Sequence, residues 1–146
     1  GYPTREEEKE IMQRMARTDK PAPTKPVMDG KQVLKLQALL NDVRIAPELE
    51  DYIVDLVLAT REPQDYGQEQ LARYIAFGAS PRASIALNLA CRALALLQGR
   101  SYAIPEDVKA VAPDVLGHRI LLTYEAEAEG TTQRHVVQAL LDSLAV

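Results

Sequence analysis

One short string, Gly78-Ala79-Ser80-Pro81-Arg82, combines residue types whose spacing suits the chemistry of an anion. Ser80 is of the type that caps a helix start and Pro81 of the type that opens a first turn, so a helix is predicted to begin here. Such a start offers unpaired backbone N–H groups and a partial positive charge. Arg82 then falls in the first turn, against the dipole, and a bound anion would compensate it. Amides and guanidinium fork together suit a phosphate oxygen. A solvated Arg82, or one paired with a nearby carboxylate, is also consistent with these residues, because a charge at an exposed helix end costs only about 0.3–1 kcal/mol.

Other residues with reactive side chains carry less. His118 and His135 are too few and too far apart for a metal motif, so no metal site is expected. The runs Glu6-Glu7-Glu8 and Glu125-Glu127-Glu129 read as solvated faces or dipole partners rather than acid/base pairs. Cys91 is the only cysteine, lies in an apolar stretch without a neighbouring His, and reads as inert packing. Tyr52, Tyr66 and Tyr74 fit core and rim positions as well as an exposed contact.

The elements that would position Arg82 are helical. Thr4 and Glu7 have the spacing of a capping box, and Ile11, Met12, Met15 and Ala16 give a short apolar stripe, so a first helix is predicted from Thr4 to about Ala16. From Arg17 to Gly30, Pro21, Pro23 and Pro26 interleave with Lys20 and Lys25, and an extended linker is expected. A second helix is expected over 31–42, with Val33, Leu36, Leu40 and Val43 on one face. Behind Pro47, the residues Leu49, Tyr52, Ile53, Leu56 and Val57 fit the helical template completely. A polar loop follows from Arg61 to Gly78, with a helical turn within 71–77. The helix from Pro81 to Gln98 is apolar almost all round, apart from the stripe Ser84, Asn88 and Arg92, which predicts a central helix wrapped by the others. Pro105-Glu106-Asp107 opens a further helix that Pro113 should interrupt; 119–124 is expected extended, 125–130 an acidic loop, and a last helix should follow Thr131 or Thr132. The sum is an all-α bundle with an N-terminal helical arm and room for one or two very short strands.

Composition agrees with this picture. The 146 residues suit one domain plus an arm, and 47% hydrophobic residues with only six Tyr, one Phe and no Trp favour a Leu/Val/Ile/Ala helical core. The formal net charge of -4 gives no global attraction for nucleic acid or anionic lipid, so neither is expected as a partner. No apolar run approaches the roughly 20 residues of a membrane span. No signal peptide is recognised, and a cytoplasmic location is expected. A start at Gly1 without Met suggests a piece of a longer protein, or the scar of a tag.

The string Gly78-Ala79-Ser80-Pro81-Arg82-Ala83-Ser84, its Leu87 to Gln98 continuation, Gly99-Arg100 and Tyr102 resemble the lid of MoxR-type AAA+ ATPases. Ile104-Pro105-Glu106-Asp107-Val108-Lys109 and Val115-Leu116-Gly117-His118-Arg119 extend the match, and Gly1-Tyr2-Pro3 before an acidic helix resembles the end of the family's core. The resemblance implies that residues 1–30 hold the end of the AAA+ core, the first helix and the linker, and that 31–146 form the lid. It implies that Arg82 is the sensor-2 arginine, contacting the γ-phosphate of ATP, and that Tyr2 and Pro3 border the adenine. His118 and Arg119 match the family string without an assigned role beyond packing or an inter-subunit contact. Expected partners are the core domain, neighbouring subunits of a ring (a hexamer), and a client, either a metalloenzyme or a von Willebrand A domain protein under maturation.

The chain has no G-x-x-x-x-G-K-[ST] loop to cradle phosphates and no acidic strand end to hold magnesium. Alone it is not expected to hydrolyse ATP; nucleotide and Mg would be held by the core domain. A different class of function, a free-standing helical adaptor that grips a partner helix in a groove, needs no anion site. A helix-turn-helix DNA binder is disfavoured by the acidic charge and the want of a basic recognition helix.

Overall fold

The computed structural model describes residues 2–18 and 24–145. The chain divides into two compact units, Gly1–Val33 and Leu34–Val146. The first contains α1 (Arg5–Met15), whose start is the predicted capping box. The Glu7 amide donates to Thr4 Oγ1 over 3.4 Å, and the Thr4 amide donates to Glu7 Oε2 over 2.7 Å. The Thr4 amide first, and the Thr4 hydroxyl donating to the same Glu7 Oε2 over 2.9 Å, hold the Glu7 carboxyl below its usual range. Ile11, Met12 and Met15 are all exposed. Lys20, Pro21 and Pro23 of the expected linker lie outside the described residues, and 24–26 have no regular secondary structure.

Helix α2 (Gly30–Leu39) opens on Asp29, which accepts the Gln32 amide over 2.7 Å while Gln32 Oε1 accepts the Asp29 amide over 2.8 Å. It tightens into a 3₁₀ turn at Leu40–Asp42 instead of running on as α-helix. Of its expected inward face, Val43 is buried whereas Val33 and Leu36 are exposed.

The second unit is built around α3 (Pro47–Ala59), α5 (Pro81–Leu97), α6 (Pro105–Leu116) and α8 (Gln133–Ser143). Leu49, Tyr52, Ile53, Leu56 and Val57 of α3 are buried with Leu87 of α5, Val108 and Leu116 of α6, and Val136, Val137, Leu140 and Leu141 of α8. The predicted stripe of α3 is therefore its core face.

Several expectations need correction. Helix α5 is not wrapped: its buried residues are Ala83, Leu87, Cys91 and Ala95, one every fourth position, while Ile85, Leu89 and Leu97 are exposed. Small side chains along that stripe let α3 and α6 approach closely from one side and leave the other bare. Pro113 sits inside α6 without breaking it. It forfeits one backbone bond, yet its own carbonyl accepts the Gly117 amide over 3.0 Å, so the ladder continues past it. The segment expected as a helical turn within 71–77 holds a short α4 (Glu69–Ala72) and then β1 (Ile75–Phe77). That strand pairs antiparallel with β2 (Leu121–Leu122), with Ile75 opposite Leu122, Phe77 opposite Leu121 and an irregularity between. The expected acidic loop contains α7 (Tyr124–Ala128), nucleated because Thr123 Oγ1 caps the Ala126 amide and Ala126 is buried.

Candidate functional site

The start of α5 is fixed from behind by the end of α3. Thr60 closes α3, is fully buried, and its hydroxyl donates to the Val57 carbonyl over 2.6 Å. The same oxygen accepts the Ala79 amide over 2.9 Å. Arg61 Nε donates to the Ala79 carbonyl over 2.6 Å, so both backbone polar groups of Ala79 end on this corner. Such closeness requires glycine at position 78, where a Cβ would lie 2.3 Å from the Thr60 carbonyl oxygen and 2.7 Å from the Arg61 nitrogen.

From this clamp the chain turns into α5. Ser80 occupies the cap position with extended backbone (φ -79°, ψ 168°), but its hydroxyl makes no capping bond, so its part in the helix start is played by its carbonyl, which accepts the Ala83 amide over 2.8 Å. Pro81 follows in the first turn as expected. Arg82 is exposed beside it, and among the described residues no carboxylate or carbonyl accepts its guanidinium. Ala83, one residue on, is fully buried and anchors the turn. A fixed backbone thus presents a cationic fork to solvent beside a helix N-terminus, an arrangement able to take an anionic oxygen.

Further along α5, Arg92 Nε donates to the Val43 carbonyl over 3.1 Å, and its Nη2 donates to the Leu40 carbonyl. The polar stripe of α5 therefore binds the 3₁₀ turn that follows α2. At the far end, Gly99 adopts a left-handed backbone (φ 76°) and the Arg100 amide reaches the Ala95 carbonyl over 2.9 Å, a Schellman reversal. Arg100 then forks onto the buried Asp107, with its two Nη groups 2.7 Å and 2.6 Å from the two carboxylate oxygens. Asp107 Oδ2 also accepts the Ile104 amide over 2.9 Å, which starts α6. Hydrogen bonds from Arg100 first, and from Ile104, hold the Asp107 carboxyl below its usual range despite burial.

Tyr2 and Pro3 belong to the first unit, where they are exposed and line a shallow hollow with Glu7, Glu10, Ile11 and Arg14. His118 Nδ1 lies 3.0 Å from the Asp114 carbonyl, and Arg119 Nη1 contacts both His118 Nε2 and the Val115 carbonyl. Both side chains thereby meet backbone carbonyls in the last turn of α6. Among the described residues no group of three or more His, Cys, Asp or Glu could hold a metal, and no helix is long and apolar enough to cross a membrane.

Thr60, Arg61 and the Arg100–Asp107 pair were not legible as site residues. The available signal for Thr60 was its position: it continues the stripe of Leu56 and Val57, placing a hydroxyl where an apolar side chain would be due.

Comparison with known proteins agrees with the helical lid fold. A family model described as AAA lid domain matches residues 68–140, half of the chain. The chain is 42% identical over its whole length to Chaperone MoxR1 of Mycobacterium tuberculosis, of which it covers 38%. It is 32% identical over its whole length to the uncharacterized protein YeaC of Bacillus subtilis, of which it covers 43%. A crystal structure of a protein from Cytophaga hutchinsonii, described as a candidate ATPase, superposes with a TM-score of 0.92 at 41% identity, over 99% of this chain and 44% of that one. The chain spans less than half the length of each of these relatives. It belongs to the AAA lid domain family. Within that family it is the lid region of a MoxR-type AAA+ protein.

Proposed function

We propose that this lid serves a ring-forming AAA+ ATPase, a hexamer, and that Arg82 is its sensor-2 arginine. In this reading ATP and Mg are held by a core domain that ends within residues 1–30, and residues 31–146 form the lid. Tyr2 and Pro3 border the adenine. Arg82 contacts the γ-phosphate, stabilises charge that develops on it during transfer, and couples nucleotide state to lid position. The observation that carries this reading is the exposed guanidinium of Arg82, unpaired among the described residues, on a backbone pinned by Thr60, Arg61 and Gly78. Nucleotide turnover would rotate the lid and pass force to a client, a metalloenzyme or a von Willebrand A domain protein under maturation. The name of one relative, Chaperone MoxR1, supports a chaperone-like task, and in this reading that task falls in the cytoplasm.

The test is Arg82→Ala in the full-length protein, with ATP turnover as the readout. A loss of roughly tenfold or more in kcat is expected, as for removal of one group that stabilises a transition state electrostatically; unchanged turnover would sink the assignment.

One observation favours a second reading, a helical adaptor. A groove of about 410 Å³ between α3 and α5 is lined by Ile53, Val54, Ile85 and Leu89, with Glu50 at its edge. Such a surface could take an amphipathic helix. Binding of a partner by the lid alone, unaffected by Arg82→Ala and by nucleotide, would support the adaptor over the sensor.

A further inference from the structure

We propose that Thr60 is a positioning residue for Arg82, acting through the start of α5. The inference rests on the sensor reading above and adds the device that sets where the sensor stands. Thr60 is one of two buried polar or charged side chains among the described residues, the other being Asp107 of the ion pair. Its single hydroxyl is used twice, donating to the Val57 carbonyl and accepting the Ala79 amide. The first bond ties the hydroxyl to the last turn of α3, and the second ties the chain three residues before Arg82 to that turn. Gly78 lets the two backbones meet, and Arg61 closes the corner by holding the Ala79 carbonyl. Without the hydroxyl, the Ala79 amide is left buried and unpaired, so the crossing must shift to satisfy it. A shift of about 1 Å at a group that meets a reacting phosphate can cost up to a hundredfold in rate.

The test uses the full-length ATPase and four variants: Thr60→Ser, Thr60→Val, Arg82→Ala and the double variant Thr60→Val/Arg82→Ala. We expect Thr60→Val to lower kcat by roughly tenfold to a hundredfold with little change in KM for ATP. Thr60→Ser, which keeps the hydroxyl, should restore turnover to within about twofold of the parent, as a bond through the same oxygen requires. On the Arg82→Ala background, Thr60→Val should change kcat by less than about twofold, because a residue acting through another adds nothing once that other is gone. Equal losses in both backgrounds would show a merely structural effect and overturn the proposal. So would unchanged kcat in Thr60→Val while Arg82→Ala is impaired, an outcome that leaves the sensor reading standing. If Arg82→Ala is itself fully active, the sensor reading falls and the positioning role falls with it. Should Thr60→Val fail to fold, Thr60→Cys, a weaker acceptor of similar size, takes its place in the same cycle.

Discussion

A Cβ on Gly78 would meet the Thr60 carbonyl oxygen at 2.3 Å, closer than two non-bonded atoms can sit. Both atoms belong to backbone, so neither can rotate away. Gly78→Ala must therefore part the end of α3 from the start of α5. The expected cost is about 2–3 kcal/mol of lid stability, in the range of overpacked sites, measured by denaturant unfolding of residues 31–146 or of the whole protein. A midpoint equal to that of the parent would mean the two segments separate freely.

The pair Arg100–Asp107 gives a pH signature. The folded-state pKa of Asp107 lies below its ordinary value of 3.8, chiefly through the Arg100 hydrogen bonds. A depressed carboxylate stabilises the fold fully above the unfolded value and loses that contribution as pH falls through the folded one. The parent should therefore lose stability from pH 4 downward in part through this group, whereas Asp107→Ala should show a shallower acid limb. At neutral pH the truncation should cost about 3 kcal/mol, the lower end for breaking a buried pair, since Arg100 retains partial access to water. Urea melts across a pH series would check both.

Caps and stripes were the legible part of this chain. Thr4 with Glu7, Pro47 before Leu49, and Pro81 after Ser80 each start the helix that their types predict. What stayed hidden depends on contacts between segments distant in sequence. The pairing of Ile75 with Leu122 joins residues too far apart for any local period to show. Thr60 and Ala79 likewise meet across 19 positions. Pro113 misled because local propensity predicts a break, and packing of Ala112 and Leu116 into the core outweighs the one lost bond. Of the site itself, Arg82 was visible as a residue, but the clamp that fixes it was not.

Helix α5 offers a direct check of which face is core. Leu87 is fully buried, whereas Ile85 is 62% exposed on the same helix. Leu87→Ala should cost about 2–5 kcal/mol through lost burial and the cavity left behind. Ile85→Ala, on the open side, should stay within about 0.5 kcal/mol in the isolated lid. Comparable losses from both, read by thermal melts, would mean that α5 is enclosed after all.

Cys91 can serve as a reporter of unfolding. Burial pushes its thiol up to about 11 from the ordinary 9.0, and Sγ lies 3.2 Å from the Asn88 carbonyl. At pH 8 the folded protein should present almost no thiolate and no path for reagent, so alkylation should proceed only through unfolded molecules. Iodoacetamide labelling should then speed up with urea in step with loss of helical circular dichroism. The linkage has a definite sign. Below pH 9 both states carry the neutral thiol and Cys91 contributes nothing to pH dependence. Between pH 9 and about 11 the unfolded state ionises first, so alkaline pH should weaken the lid, and Cys91→Ala should remove that part of the decline. Rapid labelling in native buffer at pH 8 would contradict the packing of α5 against its neighbours.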